Sequence, residues 1–127
     1  MKNSLPQAPH LLRGEQAEAA SLRFLRGQRM KLVEKNFRCP QGEIDLIMRD
    51  SKALVFVEIR YRGNPNFGDG ADSVGFRKQR KLINAANVYL QSNPATQPCR
   101  FDVVAVSRDH KDHWQFRWIK NAFQEMS

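Results

Sequence analysis

Two acidic residues interrupt apolar stretches of this chain. Asp45 lies within Ile44-Asp45-Leu46-Ile47-Met48, and Glu58 within Ala53-Leu54-Val55-Phe56-Val57-Glu58-Ile59. A buried carboxylate is costly unless it is paired, hydrogen-bonded or bound to metal, so this placement asks for a chemical explanation. The runs are separated by Arg49-Asp50-Ser51-Lys52, which predicts a β-hairpin with a polar turn. If Ser51-Lys52 is a two-residue loop, Asp50 faces Ala53, and counting back sets Asp45 directly opposite Glu58. Side chains so paired have Cβ atoms about 4.5–5.5 Å apart, close enough to share one divalent cation. A one-residue change in the loop would send the two carboxylates to opposite faces. Arg60, two residues on, shares the face of Glu58.

Phosphodiester hydrolysis uses such an arrangement. A Mg²⁺ ion activates water and neutralises charge building on the phosphate. Mg²⁺ prefers one or two carboxylates, a backbone carbonyl and several waters, with Mn²⁺ able to substitute. Asp45, Glu58 and the carbonyl of Ile59 would supply that set, and a cation beside them would steady the transition state. The competing reading is a structural ion-pair network, Glu58 with Arg62 and Glu43 with Arg60, in the same register.

The elements that must position these groups follow from periodicity. Residues 1–13, with Pro6 and Pro9, read as a flexible tail, and residues 14–127 as one domain. From Gly14 to Gln28, Ala17, Ala20, Ser21, Phe24, Leu25 and Gln28 recur at helical spacing. Met30 to Phe37 fits a strand, and the hairpin strands, apolar on both faces, belong in the middle of a covered sheet. Gly63 to Gly75 is a loop rich in Gly, Asn and Asp. Asp72 or Ser73 would cap a second helix running to about Gln91, with Phe76, Leu82, Ile83, Ala86 and Leu90 apolar. Phe101 to Val106 and Trp114 to Ile119 complete the strands. The order predicts an α/β fold with a central mixed sheet flanked by helices.

The bulk composition narrows the partners. The 127 residues carry 21 Lys plus Arg against 13 Asp plus Glu, a formal net charge of +8. So basic a domain attracts polyanions over roughly 8 Å at physiological salt, and nucleic acid is the commonest such partner. Cys39 and Cys99 are too few for a disulfide framework. No run approaches the roughly 18 apolar residues of a membrane span, and Met1 to Gln7 lacks the apolar core of a secretory signal. A cytoplasmic protein with no membrane partner is expected.

Gly42-Glu43-Ile44-Asp45-Leu46-Ile47 followed by Val55-Phe56-Val57-Glu58-Ile59-Arg60 resembles the D…ExK signature of the PD-(D/E)XK nuclease superfamily. More closely, the chain resembles the uncharacterised YraN family, which is similar to archaeal Holliday-junction resolvases. The match includes Gly14-x-x-Ala17-Glu18, Arg38, the segment Lys78-Gln79-Arg80-Lys81-Leu82, and Arg100-Phe101-Asp102-Val103-Val104-Ala105-Val106. The resemblance implies a restriction-endonuclease-like αβββαβ core and a Mg²⁺-dependent DNA endonuclease, acting on branched or otherwise structured DNA. Junction resolution needs two cuts, so that activity would require a homodimer. It carries over Asp45 and Glu58 as ligands and Glu18 as a further acid. On a helical wheel Glu18 falls within the arc of Leu22, Leu25 and Ser21, although an acid near a helix start also serves as a dipole partner. Two positions depart from the superfamily. Ile44 replaces its Pro, and Arg60 replaces its Lys; arginine stays protonated, so it cannot act as a base. A non-catalytic nucleic-acid-binding module is therefore the alternative, and an adaptor for an acidic protein is a third class.

Arg77, Lys78, Arg80 and Lys81 crowd the start of the second helix, where the macrodipole already favours anions. They form either a docking place for the nucleic-acid backbone or a solvated basic face. Within the resemblance, Lys78 or Gln79 would contact the scissile phosphate. Tyr61, Arg62 and the loop Asn64 to Phe67 would follow the active strand towards substrate. Asp109-His110-Lys111-Asp112-His113 reads as a turn rather than a metal cluster. Trp114, Phe116 and Trp118 alternate as one strand face, buried or, less commonly, a base-stacking surface.

Overall fold

The computed structural model describes residues 9–62 and 74–124. Helix α1 (Pro9–Gly27) leads into strands β1 (Lys31–Cys39), β2 (Gly42–Arg49) and β3 (Leu54–Tyr61). Helix α2 (Phe76–Ser92) then crosses over to β4 (Cys99–Arg108), and β5 (Trp114–Phe123) ends the sheet. The five strands lie in the order β1-β2-β3-β4-β5. Only the β3–β4 pair is parallel, as a helical crossover requires, and the other pairs are antiparallel. This is the mixed α/β sheet expected, consistent with a restriction-endonuclease-like core.

The centre of the sheet is apolar on both faces because a helix covers each. On one side α2 packs Leu82, Ile83, Ala86 and Tyr89 against Ile44, Ile47, Phe56, Phe101 and Val103. On the other, α1 packs Ala17 and Leu25 against Leu46, Met48, Val55, Val57, Val104 and Val106. Trp114, Phe116 and Trp118 lie at the margin of that second core. Phe116 stacks on Phe24 of α1 with ring centroids 4.5 Å apart, and Trp118 meets Phe24 edge-on at 6.1 Å. The alternating aromatics are therefore a strand face packed on a helix.

Several boundaries differ from those expected. Helix α1 begins at Pro9, so residues 9–13 of the expected tail are helical. Proline is well suited to a first helical position, because its missing N–H has no intrahelical partner there. β1 runs on to Cys39 and β5 to Phe123. Gly75 is the N-cap of α2 and makes no side-chain cap hydrogen bond. The expected caps Asp72 and Ser73 lie outside the described residues, as does the loop Asn64 to Phe67. Phe76, expected among the apolar positions of α2, is 72% exposed, one residue into the helix and ahead of the core positions that begin at Leu82. The Asp109–His113 segment is a turn, in which Asp109 Oδ1 accepts the Lys111 and His113 N–H groups at 2.9 and 2.8 Å.

The hairpin turn is as expected. The Asp50 N–H donates to the Ala53 carbonyl at 3.1 Å, and Asp50 Oδ1 accepts the Lys52 and Ala53 N–H groups at 2.8 and 2.7 Å. Arg100 clamps this turn to β4, with Nη1 3.0 Å from Asp50 Oδ2 and Nε 3.0 Å from the fully buried Asp102. Trp118 Nε1 and the Asn121 N–H, both at 2.9 Å, also donate to Asp102.

Candidate metal centre

The turn sets the register, and the register brings the two carboxylates together. β2 and β3 pair as Arg49↔Leu54, Met48↔Val55, Ile47↔Phe56 and Leu46↔Val57. The ladder ends there, one residue short of Asp45 and Glu58. Simple alternation, however, is not how their side chains meet. Ile44 and Leu46 should share a face, yet Ile44 packs under α2 and Leu46 under α1. Alternation thus breaks at Asp45. On β1, Lys35↔Leu46 and Phe37↔Ile44 place Asn36 opposite Asp45, and Asn36 has φ 56°, a left-handed conformation that Asn tolerates better than most residues. The break opens a cleft of about 440 Å³, lined by Ala17 and Glu18 of α1 together with Asn36, Asp45, Ile59 and Tyr61.

Within this site Asp45 Oδ2 accepts the Ile59 N–H at 2.8 Å. The Asp45 and Glu58 carboxyl groups lie close enough for each to shift the other's ionisation. Burial, followed by the charge of Asp45, pushes the Glu58 carboxyl up to about 7, against the opposing pull of Lys78 and Arg60. Burial likewise raises Asp45 above the ordinary carboxylate range, although the Ile59 N–H and the neighbouring Glu58 and Lys78 pull it down. Lys78 reaches in from α2, its Nζ 3.6 Å from Glu58 Oε2. Glu18 enters the cleft from α1 and accepts a hydrogen bond from Asn36 Nδ2 at 3.0 Å. Burial raises its pKa, partly offset by that bond, and the charge of Asp45 adds to the rise.

A buried and a half-buried carboxyl that resist ionising together are a natural seat for a cation, because a positive charge removes the conflict. The oxygen donors suit a hard divalent ion. Among the described residues no three His, Cys, Asp or Glu side chains form a ready-made metal cluster. The centre is accordingly a carboxylate pair, with Glu18 as an outlying acid. Ile59, expected to offer its carbonyl, lines the cleft and is seen to fix Asp45 through its N–H.

The other residues singled out from the sequence are more dispersed. Arg60 is half-buried on β3, near enough for its charge to act on Glu58. Arg62 follows it, its backbone N–H donating to the Val106 carbonyl at 2.8 Å. Gln79 Nε2 is tied to the Val74 carbonyl at 2.7 Å. Arg77 and Arg80 are exposed on α2 and do not line the cleft, whereas Lys78 and Lys81 face the tip of the β1–β2 hairpin. Glu43 pairs with Arg38, at 3.3 Å from Nε to Oε2. Asn36 also belongs to the site, and its signal in the sequence is a residue type disfavoured in strands within β1.

The sequence profile of the uncharacterised protein family UPF0102 matches residues 17–106, a span that holds Glu18, Asp45, Glu58, Arg60 and Lys78. A UPF0102 protein of Pseudomonas putida (strain GB-1) is 43% identical over 122 residues, covering 94% of this chain and 99% of its own length. Another, from Janthinobacterium sp. (strain Marseille), is 46% identical over 119 residues, covering 94% and 93%. With matches of this extent, the chain belongs to the uncharacterised protein family UPF0102.

Proposed function

We propose that this protein is a Mg²⁺-dependent endonuclease that hydrolyses DNA phosphodiester bonds, with branched or structured DNA as its preferred substrate. The observation that carries the reading is the Asp45–Glu58 pair, one carboxyl half-buried and the other buried, both raised in pKa, beside Lys78. Asp45 and Glu58 would hold the ion, with Mn²⁺ as a substitute, and the Ile59 N–H fixes the Asp45 carboxylate for that role. The bound ion supplies charge neutralisation at the phosphate and an activated water. Lys78 and Arg60 stabilise charge on the phosphate oxygens, and Glu18 extends the acidic wall of the cleft. Two cuts in a four-way junction would call for a homodimer.

A second reading rests on Arg60. A guanidinium stays protonated, so the proton that a lysine could accept at this position must go elsewhere. If water alone cannot take it, the protein is a nucleic-acid-binding module that kept the nuclease fold. The experiment measures cleavage of labelled duplex, single-stranded and four-way-junction DNA with Mg²⁺, Mn²⁺ or EDTA. Asp45→Asn and Glu58→Gln should each lower cleavage roughly 100-fold or more, the scale of losing a transition-state contact. DNA bound by all three proteins and cut by none would reject catalysis on those substrates and leave the binding module.

A further inference from the structure

A second depression of about 360 Å³ adjoins the carboxylate cleft, lined by Arg38, Cys39, Gly42, Glu43, Lys78 and Lys81. Arg38 and Glu43 line both spaces and so form the partition between them. The cations come from two elements, Arg38 from the β1–β2 hairpin and Lys78 and Lys81 from α2. Gly42 eases their meeting. A Cβ there would lie 3.0 Å from the Lys81 carbonyl oxygen, so any larger residue would push the hairpin tip and the helix apart by a few tenths of an ångström.

Three cations against one carboxylate make the depression basic, and Lys78 reaches from it to within 3.6 Å of Glu58. The partition is easily opened. Arg38 and Glu43 are opposed across β1 and β2, and their side chains are 74% and 54% exposed. Exposed pairs of this kind contribute at most about 1 kcal/mol. A phosphodiester offers the same planar guanidinium two oxygens in fork geometry and a full charge.

We propose that Arg38, Lys78 and Lys81 form a phosphate subsite for the nucleic-acid backbone next to the carboxylate cleft, and that Glu43 holds Arg38 until a backbone phosphate replaces it. This rests on the nucleic-acid reading above and adds the path of the strand. The phosphodiester beside the one at Asp45 and Glu58 lies across the hairpin tip. Glu43 is then a competitor for Arg38, so its removal strengthens binding. A purely structural ion pair would predict the opposite.

The test is fluorescence anisotropy with labelled single-stranded and duplex DNA, in EDTA so that no divalent ion contributes. Arg38→Ala should weaken binding and reduce the slope of log affinity against log salt by about 1. Glu43→Gln should tighten binding about two- to fivefold, the most an exposed pair can withhold. In the Arg38→Ala background, Glu43→Gln should change nothing. A gain that persists there would reduce Glu43 to a general field effect and overturn the proposal. So would wild-type affinity in Arg38→Ala, absence of DNA binding by the wild type, or polyglutamate displacing DNA at equal charge concentration. Cleavage failing while Arg38-dependent binding holds would reject catalysis and leave the subsite. Cleavage succeeding with binding indifferent to Arg38 would reject the subsite alone.

Discussion

Glu58→Gln should make the protein more stable at neutral pH and leave it nearly unchanged in mild acid. Glu58 is 7% exposed, and burial with the Asp45 charge pushes its pKa from an ordinary 4.5 up to about 7. Between these values the folded chain holds a proton that the unfolded chain releases. Stability contributed at this position is therefore full below about pH 4.5 and falls as pH rises towards 7. At about 1.4 kcal/mol per pKa unit, the loss across the window is roughly 3 kcal/mol, or on the order of 10 °C in Tm for a domain of this size. Glutamine has no proton to release, so it removes the slope. Urea unfolding of both proteins at pH 5, 6, 7 and 8 in EDTA isolates the effect. The variant should lead by less than about 1 kcal/mol at pH 5 and by roughly 3 kcal/mol at pH 8. Since a cation favours the ionised pair, added Mg²⁺ should narrow the gap for wild type at pH 8 and do little at pH 5. A difference independent of pH would refute the claim that Glu58 is forced to hold a proton.

Two further substitutions probe how the site is positioned. Gly42→Ala forces a methyl group to within 3.0 Å of the Lys81 carbonyl, a backbone atom that cannot swing away, and should cost about 1–2 kcal/mol in denaturant unfolding. A loss below about 0.5 kcal/mol would mean that the hairpin tip yields freely. Asp102→Asn removes the buried charge that Arg100, Trp118 and the Asn121 N–H address, and should cost about 3 kcal/mol while leaving Mg²⁺ affinity unchanged. Calorimetric Mg²⁺ binding and urea unfolding check the two halves separately, and a large loss of Mg²⁺ affinity would show that the clamp is not merely structural.

Much of this was legible in residue order. The hairpin register followed from Ser51-Lys52 as a two-residue turn, because a period of two leaves no freedom once the turn is counted. The sheet's central strands were legible from apolar runs that only a sandwich between helices can bury. The break at Asp45 was not, because it arises from the interplay of β1 and β2: Asn36 takes a left-handed conformation and Ile44 and Leu46 part to opposite faces. The start of α1 was misplaced because Pro9 suggested irregular chain, whereas proline also opens helices. Pairing was equally hard to foresee. Glu43 meets Arg38 and Glu58 meets Lys78, partners supplied by β1 and α2, which the hairpin's own register does not contain.

The same rule that flags Asp45 and Glu58 should also flag Asp102, a carboxylate set in the apolar run Phe101 to Val106. All three interrupt strands of one sheet, and Asp102 is the most deeply buried. Their surroundings separate them. Asp102 meets a guanidinium, an indole N–H and a backbone N–H, so its charge is already answered by the protein. Asp45 and Glu58 meet each other, and one backbone N–H and the nearby cations leave both carboxyls resisting ionisation. A fold gains nothing in stability from two such groups in contact at neutral pH. Their placement makes physical sense if the missing positive charge comes from outside the chain. The cleft at Asp45 opens to solvent between α1 and the sheet, where an ion and an anionic substrate can reach it. Asp102, sealed beneath β5 by Trp118, has no such access and serves as a strut.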